Sequence, residues 1–175
     1  MIARPKDDEF VPYYRPYIDL VGDGEILSTL EGQIGTIRAL GALVPARRET
    51  FAYAPGKWSI REVLGHLGDS ERIYGYRAFC LSRGDKNPLP GFDENAYVAR
   101  SRAGETPLRD LIEELASLRQ ANLRMLRGVS DGQWTEVGTA NGFRLSVRAQ
   151  AYVMAGHLAH HLGVLRERYG VSIGT

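Results

Sequence analysis

Three of the four histidines of this 175-residue chain lie within five residues, at His157, His160 and His161 of the segment AYVMAGHLAHHLGVLRERY (151–169). His157 and His161 are four apart, which on a helix sets two imidazoles side by side on one flank, a turn apart. A pair in that register can share one metal ion. On a wheel at about 100° per residue, Val147, Ala151, Met154, Leu158, Leu162, Leu165 and Tyr169 form one face, the apolar stripe of a helix packed on a core. His161 stands about 60° from the centre of that stripe and His157 about 100° from it, whereas His160 falls nearly opposite, towards solvent. The fourth histidine, His66 in KWSIREVLGHL, lies about 95° from the centre of its own stripe. That is the same kind of flank position as His157.

Two imidazoles at this spacing are a weak signal, and a third brought up by a second helix strengthens it. Three neutral imidazoles around a divalent ion leave positions open to water or substrate, as in catalytic rather than closed structural sites. Such an ion lowers the pKa of bound water towards about 7, and it can equally hold a substrate thiol as thiolate. All-nitrogen ligation suits zinc, nickel, iron or copper without choosing among them. The competing use of three histidines is core packing and hydrogen bonding.

Glu71 falls close to the centre of the apolar face of its helix, where an acid needs a partner or must become neutral. As a catalytic residue it would orient a ligand imidazole or act as general base. As a structural one it would pair with an arginine or tyrosine hydroxyl from another helix. Asp69 reads as solvent-facing, and Ser70 has no base and orienting acid to make it a nucleophile. Cys80 faces away from His66. Arg100 and Arg102 read as solvated surface, the alternative being contact with an anionic substrate.

The elements that must position these groups are legible from periodicity. Residues 1–22 carry three prolines and three tyrosines, an aromatic arm in which proline prevents a long helix. From Asp23, a candidate N-cap or first-turn acid, apolar spacing from Ile26 to Leu43 predicts a first helix ending before Pro45, with Gly32, Gly35 and Gly41 allowing close approach by a neighbour. Ser59 and Glu62 make a capping box, with Trp58 and Val63 as the hydrophobic staple around it, opening a second helix over Ile60–Ser82. Residues 84–106 lack clear periodicity, and a connection this long is functional or packed by its own side chains. Thr106-Pro107 opens a third helix as N-cap and N1 residue, and it runs to Gly128. Asn141-Gly142 is the strongest two-residue hairpin signal. Ser146 then caps the fourth helix, which Gly170 ends.

Four amphipathic helices with one small hairpin before the last define an all-α protein, a four-helix bundle. Facing helices of such bundles build metal sites, and here they would join His66 to His157 and His161. The length suits one domain, residues 1–175. A net charge of +1 argues against a nucleic-acid partner. A single cysteine excludes an internal disulfide framework, and no apolar stretch is long enough to span a membrane. The expected setting is the cytoplasm, and the expected partner is a small molecule.

The chain resembles the DinB/YfiT-like family of metalloenzymes over most of its length. The likeness rests on the aromatic arm ending in YIDLV, on KWSIREVLGHLGDSER, on the LPGFDENAY loop and on the terminal AGHLAHH helix. One histidine on the second helix with an HxxxH pair on the last is its specific part. The resemblance implies a four-helix bundle in which His66, His157 and His161 bind a divalent metal, often in a homodimer, and the expected ion is a transition metal, zinc or nickel first and iron or manganese next. It also implies metal-dependent hydrolysis or transfer to a low-molecular-weight thiol, and it secures fold and site better than reaction. The alternative is a metal- or ligand-binding bundle without catalysis.

Overall fold

The computed structural model describes residues 1–174. Its helices are α1 (Arg15–Asp19), α2 (Ile26–Leu43), α3 (Ile60–Ser82), α4 (Glu94–Arg100), α5 (Leu108–Arg127) and α6 (Val147–Tyr169), with strands β1 (Val137–Ala140) and β2 (Phe143–Ser146) before α6. The long helices α2, α3, α5 and α6 are the bundle. Each borders two others, α2 and α3 both lying against α5 and α6, so α2 stands diagonal to α3 and α5 diagonal to α6. This order makes α3 and α6, the histidine-bearing helices, direct neighbours.

Local chemistry sets the helix boundaries. The Ser59 backbone N–H donates to Glu62 Oε2 at 2.7 Å while the Glu62 N–H donates to Ser59 Oγ, the reciprocal box that starts α3. Ser146 Oγ accepts from the Ala149 N–H, and Gly170 takes the left-handed conformation at φ 63° that closes α6. Two boundaries differ from expectation. The α2 cap is Glu25, whose carboxylate accepts from the Ser28 N–H, and not Asp23. At α5 the N-cap is Pro107, since Thr106 Oγ1 donates instead to the Arg102 carbonyl. The 84–106 connection also contains the short helix α4, whose cap Asp93 accepts from the Ala96 N–H. Too short for a readable period, it is set by its cap.

The hairpin pairs Val137 with Ser146 and Ala140 with Phe143. Its two loop residues, Asn141 and Gly142, have φ of 54° and 75°, the twist a two-residue turn requires. Leu89 adds a bridge along one side, donating to the Thr139 carbonyl and accepting from the Asn141 N–H, while Phe10 bridges Leu145 on the other. Arm and long connection are thus both tied to the hairpin.

The first half of α6, Val147–Leu158, is buried on every side, because α1 covers the face that α2 and α3 leave open. A Cβ at Gly156 would stand 1.9 Å from the Tyr17 carbonyl oxygen. Only glycine admits the arm this closely, and the contact lays Tyr17 beside the next residue, His157. No helix among the described residues is long and apolar enough to cross a membrane.

Candidate metal centre

His66 comes from the second turn of α3, and His157 and His161 from the middle of α6. Burial follows the wheel positions in part. His66 and His157 are buried and His161 is half-buried, its neighbour His160 being exposed. Their imidazoles converge, with ring centroids 5.1 Å apart for His66–His157, 4.9 Å for His66–His161 and 4.6 Å for His157–His161. One nitrogen from each lies within 4.8 Å of the others.

The closest pair, His66 Nε2 and His157 Nε2, is 3.2 Å apart. With suitable tautomers one could donate to the other. It is also the spacing a shared ion asks for, since two nitrogens at about 2.0–2.1 Å from a tetrahedral zinc stand about 3.3 Å apart. His161 Nδ1 is buried with no hydrogen-bond partner, a group whose solvation is unmet within the chain.

Protonation favours the same use. Burial pushes the His66 imidazolium down to about 4, helped by the nearby His160. Burial and then the neighbouring His66 and His160 push His161 down to about 3, and His157 lies well below its ordinary range for the same reasons. All three are neutral at pH 7, the form that ligates. The donor set therefore fits a divalent transition metal.

Aromatic rings fix the imidazoles. Trp58 packs on His66 at 4.8 Å between centroids, while Tyr74 and Tyr17 meet His157 edge-on at 5.3 and 5.6 Å. Helical period carries no signal for these walls, although Trp58 and Tyr17 sit in the segments that read as a staple and an arm. Beside His161 opens a cavity of about 260 Å³ lined by Tyr53, Lys57, Trp58, Asn95 and Tyr169 among others. Tyr169 Oη donates to the Trp58 carbonyl at 2.6 Å, which ties the end of α6 to the start of α3 at the cavity wall.

Glu71 is held elsewhere. Its Oε1 accepts from Arg119 Nε at 2.9 Å and Asn122 Nδ2 at 2.9 Å, and its Oε2 accepts from Arg119 Nη2 at 2.8 Å. Arg119 also donates to Gln33 and to the Met154 carbonyl, and Gln33 donates to the Ala155 carbonyl. One buried network thus joins all four bundle helices. Arg119 had a signal in the sequence: it lies four residues from both Leu115 and Leu123, on the apolar stripe of its own helix. Asp69 is half-buried rather than solvent-facing, and burial raises its carboxyl. Ser70 and Cys80 are buried. Arg100 and Arg102 are exposed, Arg102 pairing with Glu105.

Bundle and cluster together define a helical protein with a three-histidine centre between two neighbouring helices. A sequence profile of the DinB superfamily matches residues 30–165, and the chain belongs to that superfamily. Among solved structures it is similar to YfiT from Bacillus subtilis, described as a probable metal-dependent hydrolase with an unusual four-helix bundle topology. The TM-score is 0.69 over 98% of this chain and 95% of that one, at 18% sequence identity, a likeness of fold. No curated protein matches the chain.

Proposed function

We propose that this protein is a metal-dependent hydrolase of a small organic substrate, with His66, His157 and His161 holding a divalent transition metal. The observation that carries the reading is a trio of neutral, converging imidazoles with His161 in the wall of a cavity. YfiT, alike in fold and described as a probable metal-dependent hydrolase, supports the same class. A bound divalent ion would supply Lewis-acid polarisation of the scissile group and acidify a water or thiol at its open positions.

The remaining contributions come from the chain. Trp58, Tyr74 and Tyr17 hold the imidazoles in place, so the ligands are ordered before an ion arrives. Tyr53, Trp58 and Tyr169 offer apolar ring faces to a substrate, Asn95 offers an amide, and Lys57 offers a cation to an anionic end. The cavity volume suits a molecule somewhat smaller than a typical drug-sized ligand.

A second reading, metal or ligand binding without catalysis, draws on Glu71. All three donors on its carboxylate come from Arg119 and Asn122, which leaves it engaged in structure rather than free as a base. Chromogenic carboxylic esters and amides, assayed with the zinc-, nickel-, manganese- and iron-loaded protein, separate these readings. Turnover that requires the ion and disappears in His157→Ala supports hydrolysis. Loss of a low-molecular-weight thiol into a conjugate, without hydrolysis, supports thiol transfer. Stoichiometric metal with neither reaction supports the binding protein.

A further inference from the structure

Arg77 is a buried cation that meets no carboxylate within 4 Å among the described residues. It projects from α3 and is 3% exposed. Its one acceptor there is the Pro90 carbonyl, reached by Nη2 at 2.6 Å, and Nε is buried with no partner. A guanidinium has five N–H donors and cannot deprotonate in a protein, so burying it with a single neutral acceptor is costly. The nearby tyrosines do not supply a counter-charge. Burial raises the phenols of Tyr14 and Tyr74, so both stay neutral, and the Tyr74 ring offers a weak cation–π contact at 5.9 Å. By contrast, the other buried arginines, Arg119 and Arg148, each meet a carboxylate, Glu71 and Glu9.

The unmet charge borders a cavity. A pocket of about 90 Å³ is lined by Arg77 together with Ile73, Tyr76, Leu89, Phe92 and Tyr97. Phe92 and Tyr97 pack with centroids 5.3 Å apart, and Tyr76 and Tyr97 are about half exposed at 55% and 49%. The pocket therefore has a buried cation in its lining and half-exposed tyrosines at its edge. It lies on the side of α3 carrying the α4 connection, and it shares no lining residue with the cavity at His161.

We infer that this pocket is a binding site for a small carboxylate, its anionic group on the Arg77 guanidinium and its short apolar body against Phe92, Tyr97 and Tyr76. The planar fork of arginine matches a carboxylate's two oxygens, and the ring faces favour an organic acid over an inorganic anion. The site stands apart from the metal centre, and the inference does not depend on the hydrolase reading. Because Pro90 and α4 belong to the same connection, a bound carboxylate would also fasten that connection to α3.

The Arg77 Nε–Hε resonance of ¹⁵N-labelled full-length protein reads the site directly. Titration with propionate should give a saturable shift of that resonance, while the neutral isostere propionamide should give none. Followed on the backbone amides of Phe92 and Tyr97, which all three proteins share, Arg77→Met should weaken propionate binding at least tenfold, and Arg77→Lys should retain part of it. Should Arg77→Met fail to fold, the wild-type titration and Arg77→Lys carry the test alone. Propionate and propionamide acting alike, propionate binding unaltered in Arg77→Met, or no saturable shift in the wild type would each overturn the proposal. Arg77 would then be only an anchor for Pro90.

Discussion

The Glu71 network and the histidine cluster lie five residues apart on α3 and two apart on α6, at Ala155 and His157, yet their polar groups are treated in opposite ways. Around Glu71 the donors and acceptors answer one another: carboxylate, guanidinium, two amides and two backbone carbonyls account for each other across four helices. Around His66 there are three nitrogen bases, no carboxylate hydrogen-bonded to any of them among the described residues, and one nitrogen left without a partner. Buried polarity that is satisfied internally specifies packing. Buried lone pairs in surplus, held neutral and aimed together, are addressed to something the chain does not contain. The contrast supports the proposed division, with stability resting on the first cluster and metal binding on the second.

The largest expected effect falls on the first. Arg119→Ala leaves Glu71 buried without its cation and should cost about 3–5 kcal/mol of unfolding free energy, measured by urea denaturation. Replacing both partners at once, Glu71→Met with Arg119→Leu, should cost less than Arg119→Ala alone. If the double variant is the worse of the two, the network is not a mutually compensated pair. On the other side, the metal-free His157→Ala variant should unfold near the wild type. What it should lose is the gain from added ion, about 2.7 kcal/mol for the wild type at a hundredfold excess over Kd. Equal stabilisation of both proteins in thermal unfolding would place the ion elsewhere.

Gly156→Ala tests the arm's part in orienting His157. Its methyl meets the Tyr17 backbone, so overpacking should cost about 1–3 kcal/mol and loosen metal binding, read by denaturation and calorimetry together. A smaller effect sharpens the satisfied side of the contrast. Burial alone would raise the Glu9 carboxyl, but hydrogen bonds from Arg148, Ser146 and the Lys6 backbone hold it below the ordinary 4.5. A lowered folded pKa means that the unfolded chain takes up the proton first. This stability is therefore fully present above pH 4.5 and lost as the pH falls through the folded value. Glu9→Gln should remove about 1.5 kcal/mol at pH 7 and flatten that acid limb in denaturation curves across pH.

Much of this could be read from the chain because short-range rules govern it. The Ser59–Glu62 box, the Asn141-Gly142 turn and the Gly170 stop each depend on a few consecutive residues, and each stands where the spacing places it. The flank positions of His66, His157 and His161 follow from helical period alone, and they converge. What the period does not carry is what lies across from a helix. Glu71 was visible as a buried acid needing a partner, but the choice of Arg119 depends on α3 lying beside α5. The burial of α6 on all sides depends on the arm, whose docking rests on Gly156 admitting the Tyr17 backbone. Cys80 and Asp69 are more buried than their wheel positions indicate, and for Asp69 the reason is that the connection at 101–106 lies along its side of α3. The helix α4 is too brief for a periodic signal.

The central claim, that the imidazole trio is a metal centre, is met most directly by elemental analysis of the untagged protein beside His161→Ala and Arg77→Met. The account predicts about one equivalent of a transition metal in the wild type and in Arg77→Met, and its loss in His161→Ala. A wild-type protein that holds no metal after incubation with zinc, nickel, manganese or iron, or a His161→Ala variant that keeps its full equivalent, would contradict it.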